Sequence, residues 1–290
     1  MNANKTGAGF MILAMAAFAL EDSFFKAATQ LTSVGTALIF FGLIGLLIFA
    51  SLSLRADEPV WHPACLKRTM LIRSAFELTG RLFFGLALAH APLSSTSAIL
   101  QAAPIVVTLG AIVVFGEAVG WRRWLAMVLG FVGVLVVIRP GFESFEITSL
   151  YALLATIGFA GRDLATRASP PAMSTAQLGS LGFAVLTVAG LLLTALKGTV
   201  PPLPTGHSLL LTAGAALVGV LAYAALTRAM RSGDVGFVAP YRYTRLVFAL
   251  LIAFTVFGER PDPFTLFGAA IIVLAGLYSF SRARSAGSGR

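Results

Sequence analysis

Charged residues are scarce in this 290-residue sequence: only 11% are Asp, Glu, Lys or Arg, whereas 58% are hydrophobic and the mean hydropathy is +0.89. A water-soluble domain carries about 25% charged residues, so this chain could not cover a water-facing surface. The single cysteine, Cys65, cannot form an internal disulfide, and three scattered histidines cannot hold a structural zinc. A soluble domain is excluded, and we expect no metal or other cofactor.

Signatures of ATP-driven and hydrolytic proteins are also missing. There is no Gly-Lys dipeptide, hence no Walker A loop for ATP, and neither His-Glu-x-x-His nor Gly-x-Ser-x-Gly occurs. We therefore expect a protein that is not an enzyme. An intramembrane enzyme and a channel stay as remote alternatives, although a channel would predict rings of like charge or repeated filter residues.

Long apolar stretches with short polar breaks fill the chain. At about 20 apolar residues per span, ten spans leave too few residues for a sizeable soluble domain. Lipid favours helices, because their backbone groups are satisfied internally. The predicted fold class is an all-α membrane protein with ten transmembrane helices, at about 7–28, 33–54, 68–90, 94–116, 121–139, 147–168, 175–196, 206–230, 234–257 and 263–281.

Basic residues lie mainly at alternate breaks, and only Arg139, Lys197 and Arg260 flank the other set. Because basic residues stay in the cytoplasm, this asymmetry predicts that both termini are cytoplasmic. The net charge of +9 is then mostly a topology signal, and we expect no nucleic-acid partner. We predict a multi-pass protein of the bacterial inner membrane without a removable signal peptide.

Two segments recur at nearly half the chain length. The run Val114–Glu117 reappears as Val256–Glu259 after 142 positions, and Phe18–Asp22 resembles Phe159–Asp163 after 141 positions. Five spans per repeat is an odd number, so the second repeat would enter the membrane from the opposite side. This pattern predicts inverted repeats at 1–140 and 141–290, an architecture that many secondary transporters use for alternating access. The alternative is a duplication in a protein that transports nothing.

A family resemblance rests on the order of these features. A helix with a central proline, Pro104, runs into Phe-Gly-Glu and is followed by a Gly-rich helix, and the same order then repeats. In addition, the run 239–248 resembles the ninth helix of ten-helix exporters. The chain resembles the EamA-type drug/metabolite transporter superfamily. The resemblance implies transport of small metabolites across the bacterial inner membrane, commonly export of amino acids or drugs. Other members take up metabolites such as S-adenosylmethionine, so uptake of an S-adenosylmethionine-like or vitamin-like metabolite is the alternative. Leu246 occupies the position that matches Pro104, which predicts no kink in the second half.

Several charged residues fall deep within predicted spans, where one charge costs about 2.5 to 3.5 kcal/mol. They must pair or line a wet cavity. Lys26 and Arg73 lie nearer to helix ends, which favours interfacial anchoring. The deep residues have balanced charges, with four acids and four arginines: Glu21, Asp22, Glu77, Asp163, Arg81, Arg162, Arg242 and Arg245.

The spacing of these residues suggests a substrate site. Arg242 and Arg245 share a helix face and need an anionic partner, either a substrate carboxylate or one of Glu21, Asp22 and Glu77. Consecutive helical positions point about 100° apart, so Glu21 and Asp22 cannot face the same neighbour. We predict that a zwitterionic solute places its carboxylate on Arg242 or Arg245 and its ammonium on one of the three acids. The Glu77 and Arg81 pair is equally compatible with a structural role.

For the remaining candidate residues, a role in the cavity or its gating and a role in packing or structure are both open. A cavity role is predicted for Gln101, Tyr223, Tyr241 and Tyr243. A gating or structural role is predicted for Pro104, Glu117, Arg162, Asp163 and Glu259. The two glutamates would end helices. Proton coupling through a buried carboxylate and facilitated diffusion both stay open. We expect a monomer in membrane lipid with a small-molecule substrate and no ATP.

Overall fold

A computed structural model describes residues 2–116, 121–139, 146–167, 173–198, 203–232 and 238–287. Helices and short connections account for all of these ranges, and no strand occurs within them. The first half contains α1 (Asn2–Thr29), α2 (Val34–Arg55), a 3-10 helix (Pro63–Leu66), α3 (Arg68–His90), α4 (Leu93–Leu100), α5 (Ala103–Phe115) and α6 (Trp121–Ile138). The second half contains α7 (Ser149–Arg167), α8 (Thr175–Leu196), α9 (Gly206–Ser232), a 3-10 helix (Ala239–Tyr243), α10 (Thr244–Thr255) and α11 (Pro263–Gly287).

Five stretches within these helices are long and apolar enough to cross a membrane: Ala3–Thr29, Val34–Arg55, Leu93–Val114, Thr175–Leu196 and Gly206–Ala229. Trp124–Ile138 and Pro263–Tyr278 are shorter apolar helices. Helices α3 and α7 carry more charged residues, which lowers their mean hydropathy. Large apolar side chains on the outer faces, such as Val113, Leu210 and Leu217, are well exposed, as lipid contact requires.

The main helix contacts have an approximate two-fold pattern. Helix α1 packs on α9 and α3 on α7, while α2 pairs with α8, α4 with α10 and α6 with α11. A shift of about 142 positions relates α1 to α7 and α3 to α9. Exchanging the two halves therefore converts the first pair into the second and leaves the α2–α8 and α6–α11 pairs unchanged.

Glycines allow the closest helix crossings. A Cβ atom on Gly158 of α7 would lie 2.4 Å from the backbone nitrogen of Gly80 in α3, and one on Gly133 of α6 would lie 2.9 Å from the carbonyl oxygen of Gly268 in α11. Small residues are needed at such crossings, since lipid supplies no hydrophobic force between helices and association depends on close packing.

Two helices are interrupted at matching positions. In the first half α4 ends at Leu100 and α5 begins at Ala103, with Pro104 in its first turn. In the second half the 3-10 helix gives way to α10 at Thr244, 141 positions after Ala103. The prediction of no kink in the second half was wrong. Pro240, at the start of the 3-10 helix, lacks a backbone N–H and interrupts the helical pattern six residues before Leu246.

Both Phe-Gly-Glu motifs follow helix ends. Gly116 ends α5 with φ of 65°, and Gly258 follows α10 with φ of 62°, a left-handed conformation that glycine adopts without steric cost. Glu117 lies outside the described residues. Glu259 closes its turn by donating its backbone N–H to the carbonyl of Ala253, at 2.9 Å.

Candidate functional site

Buried ion pairs join α1, α3, α7 and the interrupted helix that leads into α10. We call this set the charge network; its members are Glu21, Asp22, Arg73, Glu77, Arg81, Arg162, Asp163, Arg242 and Arg245. The sequence predicted all of these as deep residues except Arg73. The network therefore meets the requirement that charges within lipid be paired.

Glu77 of α3 is the centre of the network, and its side chain is only 2% exposed. Its carboxylate lies 2.9 Å from Arg73 Nη1, 3.7 Å from Arg81 Nε and 3.7 Å from Arg162 Nη1 of α7. The first two pairs join residues four positions apart, which lie on one face of α3. The interpretation of Arg73 as an interfacial anchor was wrong, because this arginine is buried against Glu77.

Glu21 and Asp22 of α1 face different helices. Glu21 Oε1 lies 3.5 Å from Arg81 Nη1 of α3, whereas Asp22 Oδ2 accepts a 2.7 Å hydrogen bond from Arg245 Nη2 of α10. This agrees with the expected rotation of about 100° between consecutive helical positions. The second oxygen of Glu21 is buried beside Gly219 and has no hydrogen-bond partner among the described residues.

Asp163 of α7 occupies the position equivalent to Asp22. It accepts hydrogen bonds from Arg162 Nε at 3.0 Å and Nη2 at 2.8 Å, and Arg242 Nη2 lies 3.8 Å from its other oxygen. Asp163 and Arg242 are 30% and 36% exposed, against 2% for Asp22. The network is therefore sealed near α1 and α3 and opens toward the Arg242 end.

Aromatic rings cover the arginines. The Arg245 guanidinium lies 5.1 Å from the Phe18 ring centre and 5.7 Å from that of Phe84, and Phe159 lies 5.0 Å from Arg162 and 5.8 Å from Arg81. These distances permit cation–π attraction. Phe18 and Phe159 occupy equivalent positions of the two halves, and Phe84 adds a second ring from the first half.

Of the predicted tyrosines, Tyr223 lies close enough to interact electrostatically with Glu77 and Arg162 of the network. The Tyr223 ring packs edge-on against Phe49 at 5.7 Å, and Tyr241 packs against a cluster of α1 and α9 side chains that contains Met11 and Ala225. Tyr243 is buried toward Gly276 of α11. All three rings have packing contacts, and the cavity role stays a prediction.

Gln101 connects the two helix interruptions. It lies between α4 and α5, and its side-chain amide donates a 3.4 Å hydrogen bond to the carbonyl of Arg242 in the opposite 3-10 helix. The two irregular segments therefore meet in the interior, and irregular backbone at membrane depth is tolerated there because it is buried in protein.

A small cavity of about 10 Å³, enough for about one water molecule, borders the α1 side of the network. Glu21, Asp22 and Arg81 supply its charged wall, and its apolar lining includes Phe25, Phe84 and Leu88. Ligand sites usually measure about 300 to 1,000 Å³, so a metabolite would need the helices to separate. Among the described residues no three potential metal-ligating side chains cluster, and each carboxylate of the network lies near an arginine.

A second polar cluster, which sequence reasoning assigned to anchoring and turns, lies at the end of α1. Lys26 Nζ donates hydrogen bonds to the carbonyls of Ala91 at 2.7 Å and Leu88 at 3.3 Å, and lies 3.5 Å from Glu259 Oε1. Glu259 accepts from the backbone N–H groups of Leu93 and Ser94 and from the Ser94 hydroxyl. The signal that could have found this cluster is the recurrence of a basic residue at positions 26 and 167.

Comparison with known proteins decides the family. The sequence matches the EamA-like transporter family twice, over residues 5–139 and again over 147–281. The chain belongs to this family. Because the family and its named homologues are transporters, the chain is an integral membrane transporter, as the sequence resemblance implied.

Curated relatives of this family member carry different solutes. It is 30% identical over 203 residues, 68% of each chain, to the S-adenosylmethionine uptake transporter of Rickettsia prowazekii. It is 28% identical over 281 residues to the riboflavin transporter of Vibrio cholerae, covering 93% of this chain and 91% of that one. It is 25% identical over 272 residues to the pseudopaline exporter of Pseudomonas aeruginosa, covering 93% and 94%.

A solved crystal structure has a similar fold, with a TM-score of 0.62 over 98% of both chains at 20% identity. At that identity the likeness concerns the fold alone.

Proposed function

We propose that this EamA-family protein is a secondary transporter of the bacterial inner membrane that works by alternating access between two inverted five-helix repeats, with both termini in the cytoplasm. The approximate two-fold pattern of helix pairs supports this, as do the matching helix interruptions and the paired family matches. Interrupted helices near mid-bilayer are typical of substrate sites in such carriers.

The solute we propose is a small zwitterionic metabolite, in the first place an amino acid, including aromatic ones, that is exported. The observation that carries this proposal is the charge network, which presents guanidinium and carboxylate groups side by side from different helices. Its described part holds one more arginine than carboxylates, which favours a solute that brings a carboxylate.

Arg242 is the first contact we propose for the solute's carboxylate, since its pair with Asp163 is long, at 3.8 Å, and the most exposed. Arg245 would be the deeper contact. The ammonium would be met by Asp163 first and then by Glu21, Asp22 or Glu77. The rings of Phe18, Phe84 and Phe159 would accept an aromatic or apolar side chain.

Uptake of an S-adenosylmethionine-like metabolite is the second candidate, and the Rickettsia relatives favour it. S-adenosylmethionine carries the carboxylate and ammonium of an amino acid, so the same groups would serve its recognition. The two candidates differ in the bulk of the solute and in direction.

Counterflow in proteoliposomes tests the proposal. Proteoliposomes would be loaded with unlabelled solute, and the entry of labelled amino acids, S-adenosylmethionine and riboflavin would be measured. Saturable exchange of a zwitterion supports the proposal, whereas exchange of riboflavin alone would contradict it. Arg242→Gln and Arg245→Gln should each reduce exchange by tenfold or more, about 1.4 kcal/mol per decade. Lys197→Gln, an exposed residue remote from the network, should leave exchange unchanged.

A further inference from the structure

We propose that Lys26, Ser94 and Glu259 form a latch that closes one end of the transport path, and that this latch must open once per transport cycle. The inference rests on the proposed alternating access. Hereafter the latch denotes these three residues together with the backbone groups of residues 88–94 that they bind.

The latch joins three helix ends that are far apart in sequence. Lys26 lies in the last turn of α1, the carbonyls it binds are those of Leu88 in the last turn of α3 and of its C-cap residue Ala91, and Glu259 follows α10. Both interactions match the local backbone polarity: a cation lies at the carbonyl end of α3, and a carboxylate at the N–H end of α4. Their mutual ion pair at 3.5 Å completes the closure.

The cavity lies directly beneath the latch. Leu88 lines the cavity with its side chain while its carbonyl accepts from Lys26, and Phe25, the residue before Lys26, is a second wall. The latch side chains are 12% and 16% exposed, whereas exposure along the network rises toward Arg242 at the other end. The structure is therefore closed on the latch side and more open on the Arg242 side.

Opening on the latch side requires α1 and α10 to move away from the turn between α3 and α4. The Asp22–Arg245 pair ties α1 to α10, so these two helices can move together without breaking it. Among the described residues, the latch contacts cross this boundary at the membrane face, and the Glu21–Arg81 pair crosses it deeper in the interior, between α1 and α3. The latch contacts break as a set, which makes the closed and open arrangements discrete.

The internal repeat supplies a counterpart. Arg167 and Glu117 recur at the positions of Lys26 and Glu259, and in an inverted arrangement they would lie at the opposite membrane face. Glu117 and the Arg167 side chain lie outside the described part of the chain.

Accessibility of a cysteine beneath the latch tests the inference without a substrate. The reporter is Leu88→Cys in a Cys65→Ser background, labelled with a membrane-impermeant maleimide in right-side-out and inside-out vesicles. Adding Lys26→Met should raise the labelling rate from the latch face at least tenfold. Labelling of Lys197→Cys identifies the latch face. Lys197 follows the end of α8 that holds Thr194, and this end packs against Gly35 at the start of α2, just after the end of α1 that holds Lys26.

Two controls separate a latch from a general loss of structure. Lys197→Met removes an exposed lysine at the same face and should leave labelling unchanged. Ser94→Ala removes only the hydroxyl donor to Glu259 and should give a smaller rise in the same direction, even where Lys26→Met is too unstable to purify. Labelling that stays at the parental rate in both latch variants would overturn the inference. If the latch variants raise the labelling rate as expected but the protein exchanges no amino acid, only the proposed substrate is contradicted.

Discussion

Asp22 and Arg245 are 223 positions apart in sequence, yet a 2.7 Å ion pair joins them in the interior between α1 and α10. The Asp22 carboxylate is almost completely buried, so its charge has no access to water. The pair therefore fixes the relative position of the two helices that the proposed cycle must move together.

We predict that Asp22→Asn destabilises the protein by about 3–5 kcal/mol, because removing one partner of a buried pair leaves the other charge uncompensated. Chemical unfolding in detergent micelles measures this cost. The matched control is Asp163→Asn at the equivalent position, where the partners are more exposed and Arg162 keeps Glu77 at 3.7 Å. Its cost should be about 1 kcal/mol. Equal costs for the two variants would show that burial does not distinguish the two carboxylates.

The crossing of α3 and α7 gives a second prediction. Gly158→Ala should cost about 1–3 kcal/mol, because the added methyl group would overlap the backbone of Gly80 and force the helices apart. The displacement would also lengthen the Glu77–Arg162 contact. Thermal unfolding and the yield of monodisperse protein report the effect. Gly9→Ala is the control, since no atom lies within 4 Å of its added carbon, and it should be neutral or stabilising. A stable Gly158→Ala protein would disprove the close crossing.

A third prediction concerns pH at the start of α11. Burial raises the pKa of Asp262, but hydrogen bonds from the Thr265 side chain and backbone, the Arg139 charge and the Phe264 N–H outweigh it, so the pKa falls below its ordinary 3.8. The carboxylate therefore stabilises the fold above that value and loses this contribution as the pH falls through the lowered pKa.

Asp262→Ala should accordingly cost about 0.5–2 kcal/mol at neutral pH, as the loss of a helix N-cap does, and progressively less below pH 4. Unfolding in detergent across this pH range measures the difference from the parent. Glu58→Ala, in the loop after α2, is the control and should show no such trend. A cost for Asp262→Ala that does not shrink in acid would contradict the capping role.

The local sequence pattern was sufficient to predict much of the architecture. Apolar runs located the helices, and the i, i+4 spacing of Glu77 and Arg81 predicted a contact within one helix that is present at 3.7 Å. The recurrence of Val114–Glu117 as Val256–Glu259 indicated a repeat, and the family matches fall 142 positions apart. Such features depend on neighbours in sequence, which the chain displays directly.

Contacts between distant segments could not be predicted. Lys26 has the position of an interfacial anchor in the sequence, and only the packing of α1 against the end of α3 brings it to the Ala91 carbonyl. Arg73 was misassigned for the same reason. The second helix interruption was missed because alignment on Glu259 placed Leu246 opposite Pro104, whereas a different proline, Pro240, starts the irregular turn.

The charge network is divided unequally between the two halves. Asp22 and Asp163 are equivalent, but both are neutralised by arginines of the second half, and residues 100–104 of the first half, which correspond to Arg242 and Arg245, include no charged residue. Two copies of the first half alone would lack the Arg245 partner of Asp22. The dependence runs one way, because the arginines that pair with Asp163 lie within its own half, so the second half supplies a counter-ion to the first without receiving one for its own aspartate.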